Sequence, residues 1–276
     1  TTGNFVPEIE KRRLVEDLAP FTVASITPVI VDPETLFLIL DVSAQFNSNL
    51  TTLASDDLQG TITNTLTNFN NNSLKTFNSA FRHSQVTKLI DDSDTSLTSN
   101  ITRVVLGKFF TPTLNETIGY TISFNNVIFN PHAGHNANEG GVIASTGFKV
   151  SGDTVNEMFL DDDGAGNIRR FYILSGEKKY VDNTAGTINY GNGILSLNPL
   201  TINQVSDVDN TSSTQIRITT IPDSVDIIPV RNQLLEIDLV NTAVNVAIDR
   251  LGVGDINTVN TADLATSSFT KTVSGY

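Results

Sequence analysis

The chain has no cysteine, no tryptophan and a single methionine, and only 5 of its 276 residues are tyrosine. Without thiols it can form no disulfide, thiolate zinc site, iron–sulfur cluster or cysteine nucleophile. With no tryptophan and little tyrosine it has scant material for an aromatic platform of the kind that stacks on sugars. Long hydrophobic runs are also missing. The longest, Leu36 to Leu40, falls far short of the ~20 residues a membrane-spanning helix needs. Basic residues are scarce as well: 17 Lys and Arg stand against 30 Asp and Glu, a formal charge of −13. A surface of that sign repels phosphate backbones and anionic headgroups, so neither nucleic acid nor a membrane is an expected partner.

What remains is enough to fold. Apolar residues make up 39% of the chain and charged residues 17%, a globular balance rather than a disordered one. At 29.8 kDa the chain suits two domains better than one. Its many Asn and Thr residues favour turns and strand surfaces, which tilts the expectation toward β structure.

Residues 5–18 carry Phe5, Ile9, Leu14, Val15 and Leu18 among charged neighbours, the pattern of an amphipathic helix that stops before Pro20. Phe21–Ile30 and Leu36–Phe46 read as two strands joined by a turn at Asp32-Pro33-Glu34, with Leu38, Leu40, Val42, Ala44 and Phe46 on one face. Ser55 is placed to cap a helix bearing Leu58, Ile62, Leu66 and Phe69, and Asp56 and Asp57 suit its positive end. A short helix at Ser84–Ile90 and a strand at Ile101–Phe110 follow. This order predicts an α+β fold whose first part, residues 1–112, is a ferredoxin-like layer lacking its first strand. That strand would precede Thr1, so the chain is expected to be the C-terminal portion of a longer protein.

From Thr113 the pattern changes to period two, as in Ile118, Tyr120, Ile122 and Phe124. Asp163-Gly164 and Asn192-Gly193 are hairpin signals between apolar flanks. Residues 113–242 therefore predict an antiparallel β domain. Residues 243–276 form a C-terminal segment or interaction arm, with Ala243–Leu251 readable as a last strand or short helix.

No catalytic constellation emerges. Asp161-Asp162-Asp163-Gly164-Ala165-Gly166-Asn167 invites comparison with a calcium loop, but Ala165 and Tyr172 stand where that loop needs oxygen ligands. A polar hairpin tip is the better reading. Asp91, Asp92 and Asp94 sit at an expected helix end and suit local turns. His132 and His135 form an H-x-x-H that Glu139 or Asp153 could complete as a metal site, yet it lacks the helix and the intervening Glu of the zinc-enzyme motif. A hydrolase built on His132, Asp161 and Glu139 is a remote alternative. His83 has no G-x-S-x-G elbow to serve, and neither Gly164-x-Gly166 nor Gly252-x-Gly254 completes a phosphate cradle. The N-x-S/T triplets follow from the composition. No catalytic, cofactor or metal residue is assigned, and no cofactor is expected.

Several stretches are familiar. Leu18-Ala19-Pro20-Phe21-Thr22-Val23, Ile26-Thr27-Pro28-Val29-Ile30-Val31-Asp32-Pro33, and Phe81-Arg82 followed by Lys88-Leu89-Ile90-Asp91-Asp92-Ser93 resemble the C-terminal half of the T-even-type baseplate wedge subunit, gene product six. That family belongs with the baseplate J-like proteins of contractile phage tails. Arg170-Phe171-Tyr172, Gly186-Thr187-Ile188-Asn189-Tyr190 and Pro229-Val230-Arg231-Asn232-Gln233 continue the likeness, which runs from about Leu18 to Arg250. The resemblance implies a structural virion protein, assembled in the host cytoplasm, that forms a homodimer within each wedge, contacts the other wedge subunits and joins wedges into a ring around the hub. It carries over no catalytic residue. The competing expectation is a receptor- or glycan-binding tail module.

Overall fold

The computed structural model describes residues 7–22, 28–30, 32–135, 141–208 and 212–249. Its first helix, α1 (Glu8–Leu18), starts after Pro7 and runs into a short 3-10 turn at Ala19–Phe21, where Pro20 cannot donate to a continuing helix. The strand expected over residues 21–30 is not formed where the chain is described: Phe21 lies in the 3-10 turn and residues 28–30 are irregular. Residues 23–27 lie outside the described part.

The long strand is β1 (Glu34–Phe46), whose even-numbered residues from Leu36 to Phe46 are all buried. Helix α2 (Ser55–Phe69) buries Leu58, Ile62, Leu66 and Phe69 at helical spacing. Its cap is Ala54 rather than Ser55. The Asp57 carboxylate, at the third helical position, accepts the Ala54 N–H at 3.1 Å, so an acid in the first turn replaces the expected serine. One π-turn (Asn70–Leu74) prolongs this helix, and the buried Asn70 side chain accepts the Ile237 N–H at 2.8 Å. Helix α3 (His83–Asp91) and strand β2 (Leu97–Phe110) complete a β-α-α-β unit in which β1 and β2 pair antiparallel.

The other flank of β1 is filled from the far end of the chain. Strand β11 (Gln233–Ile237) pairs parallel with residues 34–38, and β12 (Ala243–Ile248) pairs parallel with residues 41–46. Strands β10 (Ile216–Thr220) and β4 (Ile143–Ser145) extend the sheet beyond β2. The α+β class holds, but the ferredoxin-like arrangement is not confirmed: among the described residues, distant strands occupy the flank of β1 where a local hairpin partner was expected. Leu235 beside Leu36, Ile237 beside Leu38 and Val244 beside Val42 supply the buried rows that Pro28 and its irregular neighbours cannot. The texture change at Pro112 marks where the second β layer begins, yet β4, β10, β11 and β12 return to the first sheet.

The second layer is antiparallel throughout. Strands β5 (Phe148–Val150), β6 (Asp153–Asp162), β7 (Asn167–Leu174), β8 (Glu177–Asn189) and β9 (Ile194–Val205) pair in succession, and β9 returns to β5. This closes a five-stranded barrel, with β3 (Thr117–Ser123) added along β9. Closure removes the exposed edges that short antiparallel strands would otherwise present. Met158, Leu160, Ile168, Ile188, Leu195 and Leu197 fill the interior. At the β8–β9 contact Gly186 is required, since a Cβ there would meet the Ser196 carbonyl oxygen. Both expected hairpins form, Asp163-Gly164 linking β6 to β7 and Asn192-Gly193 linking β8 to β9.

Strand β4 joins the two layers. It pairs with β10 in the first sheet while the Leu160 N–H of β6 donates to Ser145 Oγ at 2.9 Å. The segment 124–130 makes a second joint: Phe124 and Ile128 donate to the Gly193 and Tyr190 carbonyls, and Phe129 donates to Ile221. One continuous apolar core results.

Candidate functional site

Among the described residues the densest polar chemistry lies at the end of β6, where alternation sends neighbouring aspartates to opposite faces. Asp161 points out of the barrel and is 1% exposed. It accepts Arg169 Nε at 2.9 Å, Lys178 Nζ at 2.8 Å and the Tyr180 hydroxyl at 2.8 Å. The Arg169 guanidinium also donates to the Asp162 carbonyl at 2.9 Å and lies 4.4 Å above the Tyr180 ring. Lys178 lies 4.4 Å above Phe171, which stacks on Phe159 with centroids 5.8 Å apart. This external cluster covers its own charges with aromatic rings, and a charge removed from water needs such partners to be tolerable.

Asp162 faces the other way and is fully buried. It accepts the Ile143 N–H at 2.9 Å, the Gly164 N–H at 3.2 Å and the Tyr190 hydroxyl at 2.6 Å. Gly141 lies against this carboxylate, and a Cβ there would overlap it. Burial, and then the bond to Asp161, push the Tyr180 phenol up to about 12; burial and Asp162 raise that of Tyr190 as well. Both phenols stay protonated near neutral pH, so they serve as donors and not as bases.

Asp163 closes the hairpin by accepting the Ala165 N–H, the Asn167 N–H and Asn167 Nδ2 at 2.7–3.0 Å. Burial raises its pKa, but these bonds, from Asn167 foremost, outweigh that effect and hold it below the usual value. All three aspartates of the supposed calcium loop are thus committed to protein donors. Asp153 likewise accepts from Val155 and Asn156 within its own turn, which lowers its pKa. Asp91 accepts from Asn100 on β2 and Asp92 pairs with Lys88 along α3, while Asp94, bonded to Ser96, makes the local turn the sequence suggested. His83 Nε2 is 2.7 Å from the Thr102 carbonyl oxygen.

His132 and His135 are brought together, their ring centroids 4.8 Å apart. Asp161 is held instead by Arg169, Lys178 and Tyr180, so the hydrolase grouping gains no support; Glu139 lies outside the described residues. The nearest concavity is a shallow dent of about 380 Å³ lined by Asn130, Ala133, Gly164, Gly166, Asn189 and Tyr190. Its one titratable group, the Tyr190 hydroxyl, is already bound to Asp162. A second cavity, of about 30 Å³ beside Arg170 and Leu197, has room for about one water molecule.

The other feature is exposed apolar surface. Helix α1 buries only Lys11, which bonds Asp32 at 2.6 Å and Glu8 at 2.7 Å. Ile9 is 78% exposed, Phe21 86% and Val29 76%, with Leu14 and Leu18 also exposed. Large apolar side chains left exposed in number along one short segment are a feature of surfaces that meet a partner.

Comparison with known proteins addresses what these surfaces belong to. Residues 34–108 match the family model described as baseplate structural protein gp6, C-terminal domain III. This stretch is similar to a gp6-type baseplate domain. The resemblance to the C-terminal portion of the T-even-type gp6 protein is thereby borne out over this stretch. No curated protein matches the chain. The matched residues begin at the first residue of β1 and end within β2, so the gp6-type domain is the β-α-α-β unit itself. The match supports a structural role in the phage tail baseplate, in association with other baseplate proteins. Among the described residues no helix is long and apolar enough to cross a membrane.

Proposed function

We propose that this gp6-like protein is a structural subunit of the baseplate wedge of a contractile tail, that it pairs with a second copy within the wedge, and that it helps join neighbouring wedges into a ring around the hub. It needs no catalytic residue, cofactor or nucleic acid for this. The observation that carries the reading is α1 and its continuation: a helix whose apolar residues Ile9, Leu14, Leu18 and Phe21 stay exposed. Apolar surface of this kind is stabilised by about 25 cal/mol for each Å² it loses to a partner. Obligate interfaces of such proteins bury more than ~2,000 Å² in total.

Light scattering of the full chain should give a dimer, and Leu14→Glu with Leu18→Glu should shift it toward monomer without altering its circular dichroism. A strict monomer at high concentration, both alone and with the other wedge subunits, would overturn the reading. The glycan-binding alternative finds its aromatic cluster already covered, with Lys178 over Phe171 and Arg169 over Tyr180. Reproducible hits on a glycan array would revive it.

A further inference from the structure

We propose that His132 and His135 form a surface site for one divalent transition-metal ion such as Zn²⁺, Ni²⁺ or Cu²⁺, independent of the role in assembly. The sequence alone left these residues in a loop of unknown order, where two imidazoles have no reason to face one another. The structure supplies that reason. The His135 N–H donates to the His132 carbonyl at 3.2 Å, and Gly134, at the third position of the turn, has φ +77°. This fits a type II β-turn, in which a positive φ at that position is best met by glycine.

The turn is itself fastened. The Gly164 carbonyl at the β6–β7 hairpin accepts both the Gly134 N–H at 2.9 Å and Asn130 Nδ2 at 3.2 Å. The His135 ring also meets Phe129 edge to face, 6.3 Å between centroids. Two imidazoles thus stand close together on the corner residues of an anchored turn, their planes at 82°, at a cost in ordering already met by folding.

Their spacing is compatible with two ligands of one ion. With a metal–nitrogen bond of about 2.0–2.1 Å, each ring centroid stands roughly 3.2 Å from the metal. Centroids 4.8 Å apart then subtend about 97° at the ion, between the octahedral and tetrahedral angles. Both residues are exposed, so an ion can reach them from solvent. No third His, Asp or Glu among the described residues stands with them, and water or a partner's side chain would fill the remaining positions. Imidazole donors favour Cu²⁺, Ni²⁺ and Zn²⁺ over the oxygen-seeking Mg²⁺ and Ca²⁺.

The chain has three histidines, which makes the test direct. Zn²⁺ alone is titrated into the full chain by calorimetry, and the histidine ring protons are followed by NMR. Heat for one equivalent is expected, with the His132 and His135 signals shifting while that of His83, whose ring is held by Thr102, stays in place. Mg²⁺ should give no heat, and the Zn²⁺ heat should be lost in His132→Ala and in His135→Ala. No heat with the unaltered chain, heat retained in the double variant, or equal shifts of all three histidines would each overturn the site.

Discussion

Asp161 takes three donors at once, and its most deeply buried ionic partner, Arg169, is nearly as hidden as it is: the side chains of Asp161 and Arg169 are 2% and 7% exposed. Removing one member of such a pair strands the other charge in a poorly hydrated place. Asp161→Ala should therefore lower stability by about 3–5 kcal/mol, read from denaturant unfolding, far more than a surface ion pair such as Lys88–Asp92 is worth. The tyrosines beside these carboxylates give a pH signature. The Tyr180 pKa is raised in the folded state to about 12 from an ordinary 10, so the folded protein holds that proton where the unfolded chain has lost it. Its contribution to stability is complete below pH 10 and disappears as pH climbs toward about 12. Absorbance titration should show Tyr180 and Tyr190 ionising later than tyrosines of ordinary pKa, and Tyr180→Phe should remove the lower-lying of the two delayed steps.

Strands and helices fail in different ways here. The barrel depends on backbone contact between β8 and β9 at Gly186, where any side chain strikes the Ser196 carbonyl. Gly186→Ala should cost about 1–3 kcal/mol, as overpacking of a tight contact does, and should speed amide exchange in β8 and β9 before the helices are affected. Elements with a strong internal period were legible in sequence: β1 from its alternation, α2 from Leu58, Ile62, Leu66 and Phe69, and the two glycine hairpins of the barrel. The strand expected at residues 21–30 was not formed where described, because β-branched composition states a tendency and not a partner. The Ala54 cap was missed for a related reason. A serine and an acid two residues later both suit a helix start, and only the backbone course decides which group meets the free N–H. At the β6 hairpin the sequence rightly gave a polar tip, but the burial of Asp161 and Asp162 depended on Arg169, Lys178, Tyr180 and Tyr190 arriving from other strands.

At the scale of the whole molecule, the gp6-type stretch 34–108 is a family unit without being a self-sufficient one. Its central strand is paired on one side by β11 and β12, and Leu235, Ile237 and Val244 lie in the same core as Leu36, Leu38 and Val42. A fragment of residues 34–108 should therefore show little fixed structure by amide dispersion, and extending it through residue 249 should restore a single cooperative transition. A cooperatively folded fragment would show that the later strands are accessories. The acidic charge, the absence of thiols, the family of the β-α-α-β unit and the period of each long element were all determined by the sequence itself, since each follows from residue identity or from neighbours a few positions apart. The tertiary structure alone decided which strands complete the first sheet, which aspartates lose contact with water, and that His132 faces His135 across an anchored turn. These depend on contacts between residues tens to hundreds of positions apart, or on the exact backbone path of a loop, and local pattern carries no record of either.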